Sequence, residues 1–359
     1  MLALYALHLG AQPFTVGLLA AMFSAPPMLL SYQIGKLTDR FGTRWLLMIG
    51  IAGSAMGLLV PFFVQSLSSL FIAAIMNGVA FAFFNVSLQN AVGLLSTAQT
   101  RVRNYANFTL VVAVAQFIGP LLVGFAIDHV GHSTSCIYII MIAVVPVILL
   151  FLRGSGLPAG TGKPAKSGGS MLELLSDPGV RRVLAISSLM MTGYDLFLFY
   201  MPIYAHSIGH SASTIGIIIG TFSAASFVVR LLLSRLLDRF SVEQVLSCAF
   251  YIGAAGFVLV PFVQNAVLLC VVAFVFGLAM SVGQPITMTL SFSNAAEGRS
   301  GEAMGMRQTI NHLTRVVGPM VFGSIGSAFG LFPVFWINAV MLASGGAFTR
   351  PGKLETKDR

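Results

Sequence analysis

Apolar runs of about 20 residues follow one another from end to end of this 359-residue chain, and each has the length a helix needs to cross a bilayer. No other feature limits the possible folds so sharply. Inside hydrocarbon every backbone N–H and C=O must be satisfied within the protein, which leaves helices or closed barrels. The runs are continuous rather than alternating, so they read as helices. Hydrophobic residues make up 57% of the chain and charged residues 9%, against about 25% charged in soluble domains. A water-soluble fold would have nowhere to bury these runs. The net charge of +9 punctuates the runs and forms no face, which argues against nucleic acid as a partner. Cys136, Cys248 and Cys270 are an odd number inside apolar runs. They read as packing residues, not as a disulfide framework or metal ligands.

Residues 14–35, 45–64, 68–95, 105–127 and 135–152 are expected to form spans 2 to 6. Residues 183–204, 213–236, 242–263, 266–292, 302–328 and 331–348 are expected to form spans 7 to 12. The sequence therefore divides into an N-terminal half (1–152), a linker (153–182), a C-terminal half (183–349) and a charged tail (350–359) expected to be disordered. The linker is rich in Gly, Ser, Pro and Lys, the composition of a flexible connection. Within it, 171–176 (MLELLS) suits one amphipathic turn on the membrane surface. The first ten residues are too few to span and lack the basic start and cleavage site of a signal peptide.

Lys and Arg sit in the 2–3 loop (Lys36, Arg40, Arg44), the 4–5 loop (Arg101, Arg103), the linker, the 8–9 loop (Arg235, Arg239), the 10–11 loop (Arg299) and the tail. The opposite loops carry none. The excess of basic charge on one side assigns both termini and the linker to the cytoplasm of a multi-pass inner-membrane protein. His8, His129, His132, His206 and His210 fall on the other side and read as weakly polar outer-loop residues rather than pH sensors.

The 2–3 loop, GKLTDRFGTR over 35–44, returns in part as SRLLDRF over 234–240. Asp39 and Asp238 are 199 residues apart (238 − 39). The same offset pairs Tyr5-Ala6 with Tyr204-Ala205, Phe23-Ser24-Ala25 with Phe222-Ser223-Ala224, Gly78 with Gly277, and Gly119-Pro120 with Gly318-Pro319. This is a parallel duplication of six helices, a transporter signature in which the substrate site lies between the halves near the midplane. Span 7 begins near Val183, and 183 − 199 = −16, so about 16 residues of span 1 are expected upstream, through a late start codon or a fragmentary chain. The fold class is an all-α integral membrane protein of twelve helices in two six-helix repeats, here eleven full helices and a truncated first.

A 6+6 arrangement with this loop resembles the major facilitator superfamily along the whole chain. The family pattern Gly-x-Leu-x-Asp-Arg-x-Gly, followed by two basic residues, is met by Gly35, Leu37, Asp39, Arg40, Gly42 and Arg44, with Thr43 departing. The resemblance implies that the Asp and Arg of the loop form a cytoplasmic latch, and the second copy keeps Asp238 and Arg239 of that gating loop, with Ser234 for the first Gly. A dipole-favoured Asp at a helix N-terminus suits that role. Ala115, Gly119-Pro120 and Gly124 are similar to the Gly-x-x-x-Gly-Pro pattern of drug–proton antiporters, with Ala115 for a Gly. Read from the residues alone, Gly119, Pro120, Gly318 and Pro319 are helix kinks with small residues for close packing.

Charges inside a membrane are costly and mark function. Asp195 lies 13 residues past Arg182 (195 − 182), about 20 Å into the membrane at 1.5 Å per residue. A buried carboxylate can take and release a proton, and Asp195 is the expected proton carrier. Arg315 maps onto Gln116 of span 5, a polar pair suggesting a shared cavity. Arg307, Asn311 and Arg315 recur at i, i+4 and i+8 and share a face. Asn85 maps onto Gln284, where Pro285 is expected to break span 10 and free carbonyls toward a ligand. Arg307 and Arg230, near the basic ends, suit snorkelling. Tyr194, Phe197, Phe199 and Tyr200 around Asp195 suit an apolar or ring-bearing substrate.

The expected function is alternating-access transport, with proton-coupled export of small, partly hydrophobic compounds. Uptake of a sugar or organic anion is the alternative, favoured if Arg315 is free of Asp195, and a receptor without transport is a distant one. No nucleophile motif, metal motif or phosphate loop marks an enzyme. No cofactor, metal, nucleic acid or obligate protein partner is expected; protons, the lipid bilayer and a small-molecule substrate are. The 359-residue chain alone is expected not to transport in proteoliposomes, and normal flux through it would overturn the inference of an upstream helix.

Overall fold

The computed structural model describes residues 2–11, 13–158, 160 and 171–349. The apolar runs become helices in chain order: α1 Leu2–His8, α2 Pro13–Phe41, α3 Thr43–Phe63, α4 Leu67–Leu94, α5 Arg101–Arg153, α6 Met171–Ser176 and α7 Pro178–Ser207. They continue as α8 Ala212–Leu237, α9 Val242–Leu259, α10 Ala266–Ser281, α11 Gly283–Ser293, α12 Ser300–Phe329 and α13 Leu331–Phe348. Eight described helices are long and apolar enough to cross a membrane. The centre of the linker (161–170) and the tail from 350 lie outside the described residues.

Two interruptions have local causes. Within α5, Gly131 adopts φ 79° and ψ 170°, which divides the run into the expected spans 5 and 6. Expected span 10 is divided at Val282 into α10 and α11. Pro285 has no N–H, so the Ser281 carbonyl loses its helical donor, and the ladder resumes with Ile286 N–H to Val282 O at 3.4 Å. The MLELLS segment forms α6. Several boundaries differ from expectation: α5 begins at Arg101 and α7 at Pro178, and α2 runs to Phe41, so the Asp39-Arg40 pair sits on the last turn of a helix and only Gly42, at φ 84°, turns the chain into α3.

The duplication recurs in three dimensions, contact by contact. Gly10 and Gly209 share positive φ (80° and 89°), as do Gly131 and Gly330 (79° and 83°). The Tyr5 hydroxyl donates to Pro61 O at 3.4 Å, and that of Tyr204 to Pro261 O at 3.1 Å. Ser66 caps α4 and Asn265 caps α10. A Cβ on Gly78 would strike the Phe23 carbonyl, and one on Gly277 would lie 2.7 Å from the Phe222 carbonyl. These close approaches are the small-residue packing that lets membrane helices touch backbone to backbone.

The chain forms two compact units. Unit 1 holds Met1–Thr97, Val111–Leu175 and Ala295–His312, and unit 2 holds Ala98–Leu110, Ser176–Asn294 and Leu313–Arg359. Each unit thus takes a short segment from the other half of the sequence: the first turns of α12 go to unit 1, and the first turns of α5 to unit 2. In unit 1, α4 packs on both α2 and α3 through small buried residues such as Ala73, Ala74, Ala80 and Ala82. In unit 2, α10 packs on α8 and α9, and the centre is aromatic. Phe197 stacks on Phe276 at 4.3 Å and on Phe222 at 5.3 Å, with Phe257 and Phe335 completing the group. Lipid is as apolar as a side chain, so this core is held by van der Waals fit more than by escape from water.

Phe197→Ala should open a cavity in unit 2 and cost on the order of 3 kcal/mol, read as a lowered midpoint of thermal unfolding in detergent. Phe199→Ala, on a side chain 49% exposed, should leave that midpoint nearly unchanged.

Candidate functional site

Polar groups gather at three places along α12, two in unit 1 and one in unit 2. The first is the N-terminus of α12. Asp39 accepts through Oδ1 from Gly301 N–H at 2.7 Å and through Oδ2 from Glu302 N–H at 2.9 Å. Asn90 Nδ2 adds a longer bond of 3.4 Å to Oδ1, and Asn90 Oδ1 accepts from the Ser300 hydroxyl at 2.8 Å. A carboxylate on two free N–H groups at a helix start satisfies donors that have no intrahelical partner and meets the positive end of the helix dipole. Asp39 lies beyond the end of the apolar run at Gly35. There burial pushes its carboxyl up, to about 7, with the backbone bonds opposing. The capped arrangement is therefore favoured as pH falls through 7 toward the ordinary carboxylate range, because the capped carboxyl holds its proton more tightly than a free one.

The cap depends on glycine. A Cβ on Gly35 would strike the Gly301 carbonyl, one on Gly301 would lie 2.5 Å from the Gly35 carbonyl, and one on Gly305 would strike the Ser31 carbonyl. Glu302, buried, accepts from Arg299 at 2.9 Å and from the Tyr32 hydroxyl at 3.4 Å. Arg299 also lies 3.8 Å from Glu173 of α6, and the Glu302 bond holds its guanidinium above the usual range. The other cations of the loop do different work. Arg40 is exposed over the Phe41 ring (5.0 Å), and Arg44 lies over Trp45 (5.7 Å) and donates to Phe151 O at 2.9 Å.

The second copy of the loop makes no such cap. Asp238 and Arg239 are exposed, and neither side chain makes a hydrogen bond among the described residues. The repeat offset explains it. Ser234 stands where the first copy has Gly35, and Val102 where it has Gly301, so both positions carry the Cβ that the capped copy lacks.

The second cluster is deeper in unit 1. Arg307 is 1% exposed and donates to Gln89 Oε1 at 2.5 Å. Gln89 and Gln308 both donate to Asn85 Oδ1, the latter at 3.0 Å. Asn311 is buried in the same unit. Arg307 therefore does not snorkel, because side-chain amides of α4 hold it inside. Of the three residues expected to share a face of α12, Arg307 and Asn311 belong to unit 1 and Arg315 to unit 2.

The third cluster lies in unit 2. Arg315 Nε donates to Asp195 Oδ2 at 2.9 Å, with the two side chains 46% and 23% exposed. Arg315 and Gln284 both reach Met191 Sδ at 3.9 Å. Tyr194 beside them touches Phe222, at 5.0 Å between ring centroids, and lies in the field of Arg230, Asp195 and Arg315. The side chains of Gln116, Pro120 and Pro319 lie outside the described residues. Among the described residues, Cβ atoms on Gly119 and Gly318 would meet nothing within 4 Å, whereas those on Gly35, Gly301 and Gly305 would meet backbone. Glu302, Arg299, Asn90, Gln89 and Gln308 did not stand out in the sequence. The available signal was an acid in the first turn of an otherwise apolar helix. Among the described residues, no three His, Cys, Asp or Glu side chains group to hold a metal.

The chain matches the sequence model of the Major Facilitator Superfamily over residues 1–211 and 183–357. It is 25% identical over 319 residues to the multidrug resistance protein MdtG of Klebsiella pneumoniae, covering 85% of this chain and 75% of that one. It is 19% identical over 346 residues to an uncharacterized MFS-type transporter of Methanocaldococcus jannaschii, covering 95% and 89%. Its fold is similar to that of the human organic anion transporter MFSD10 (TM-score 0.81, 15% identity, 97% and 88% covered). It is also similar to the Escherichia coli fucose:proton symporter FucP (TM-score 0.78, 15% identity, 94% and 90% covered).

Gly301→Ala should strain the Asp39 cap and cost about 1–3 kcal/mol by overpacking, whereas Gly119→Ala should be tolerated. Thermal unfolding of the two variants side by side checks this.

Proposed function

The chain belongs to the Major Facilitator Superfamily and is a multi-pass membrane transporter, and from that premise we propose that it exports small, partly hydrophobic compounds in exchange for protons. The observation that carries this reading is the Arg315–Asp195 pair at 2.9 Å. A free Arg315 would favour uptake of a sugar or organic anion. A paired Arg315 leaves Asp195 as a carboxylate whose protonation removes its partner's counter-charge, and an uncompensated cation in a membrane is unstable enough to drive a rearrangement.

The surroundings support the substrate class. The Met191 thioether, the Gln284 amide and the Tyr194 ring lie beside the pair, a mixture of polarizable, polar and aromatic surface that suits a mainly apolar ligand with few polar groups. The relatives named for multidrug resistance point the same way. In this reading Asp195 carries the proton and Arg315 reports its charge. The Asp39 cap on α12 is the latch, made in one state of alternating access and broken in the other. The charge bias supports cytoplasmic termini, and the bacterial relatives support the inner membrane.

In proteoliposomes carrying a pH-sensitive dye, candidate compounds should move protons with the wild-type transporter. Asp195→Asn should lower that proton movement at least about tenfold, as expected for loss of the titrating group. Transport that continues unchanged in the variant would make Asp195 a structural partner of Arg315 and sink the coupling scheme.

A further inference from the structure

Outside these clusters, unit 2 contains a cleft with no part in the scheme above. α8 and α9 both pack on α10 but barely on each other, and a space of about 410 Å³ opens between the three. Its walls include Val229 and Leu236 of α8, Cys248 and Ile252 of α9, and Val275 and Leu278 of α10. Along α9 it runs from Gln244 to Ile252, eight residues (252 − 244) or about 12 Å of helix. That is most of one leaflet of a core about 30 Å thick.

One end of the cleft meets the loop between α8 and α9. Phe240 and Gln244 line it there, and Arg235 and Arg239 adjoin the lining residues Leu236 and Phe240 in the chain. Both arginines are exposed. Arg182, at the start of α7, lies in the field of Glu243, which brings Arg181 and Arg182 to the same end of the unit. Arg181, Arg182, Arg235 and Arg239 outnumber the carboxylates of the α8–α9 loop and the first turn of α9, Asp238 and Glu243.

We propose that this cleft holds an acyl chain of an anionic phospholipid, with the lipid phosphate on Arg235 and Arg239. A long apolar slot at lipid-facing helices suits a hydrocarbon tail and offers nothing to a polar solute. Guanidinium forks match a phosphate, and basic residues beside a membrane draw anionic headgroups. The site differs from ordinary lipid coating in that it selects a headgroup and a position.

The test offers the purified full chain equal amounts of phosphatidylglycerol and phosphatidylcholine with identical tails, and counts retained lipid by native mass spectrometry. Wild type should keep phosphatidylglycerol over phosphatidylcholine, by about fivefold for each arginine engaged. Arg235→Gln with Arg239→Gln should abolish the preference, and Cys248→Trp, which fills the slot, should lose the lipid. Thermal unfolding of each variant without lipid confirms that it is folded. Equal retention of both lipids by wild type shows an unselective lipid coat and overturns the proposal. So does a preference that survives the arginine substitutions, or a phosphatidylglycerol adduct undiminished by Cys248→Trp.

Discussion

A charge or amide placed in hydrocarbon has no water to fall back on, and its partner must come from the protein itself. That requirement organises this chain more than any packing preference. Asp195 takes Arg315. Arg307 takes the amide oxygen of Gln89, which together with Gln308 donates to Asn85. Asp39, at the rim, takes two backbone N–H groups from the start of α12. All three arrangements involve α12, which carries basic and amide side chains along an otherwise apolar helix. The result is one helix whose ends belong to different compact units and whose polar groups are satisfied separately in each.

The duplicated loop shows how little sequence it takes to change what a motif does. Both copies keep Asp-Arg, but only Asp39 caps a helix. The carboxylate is not what differs. The first copy has Gly35 and Gly301 facing each other with no Cβ on either side, and the second has Ser234 and Val102. A close contact between backbones needs small residues on both sides, and only the first copy has them at these two positions.

Most of the architecture was legible before any coordinates. Runs of about 20 apolar residues, the break ahead of Pro285 and the turn at Gly131 follow from backbone chemistry that acts over a few residues. The 199-residue offset paired Tyr5 with Tyr204, and both hydroxyls bond a proline carbonyl, Pro61 and Pro261, the second one residue beyond that offset. The candidate site was legible only in part. The Asp195–Arg315 pair joins charges 120 residues apart in sequence, and rarity alone marked both. The burial of Arg307 and the Glu302–Arg299–Tyr32 cluster were not visible, because a cation two turns from a helix end looks the same whether it snorkels or is held by amides. Gly119 and Gly318 show a limit of the same kind: a Cβ on either would meet nothing within 4 Å among the described residues, and a glycine in a helix does not by itself say which neighbour it approaches.

By itself, then, the sequence determined the helical class, the approximate course of the apolar spans, the duplication and the two charges, Asp195 and Arg315, that pair inside the membrane. These depend on local hydrogen bonding and on the length of apolar runs, which any window of the chain reveals. Tertiary structure decided the partners: which Asp caps α12, which Arg is neutralised by a carboxylate and which by amides, and which glycines touch. Partnership is set by where helices distant in sequence come together, and a helix face offers the same residues whether its neighbour is lipid, water or another helix.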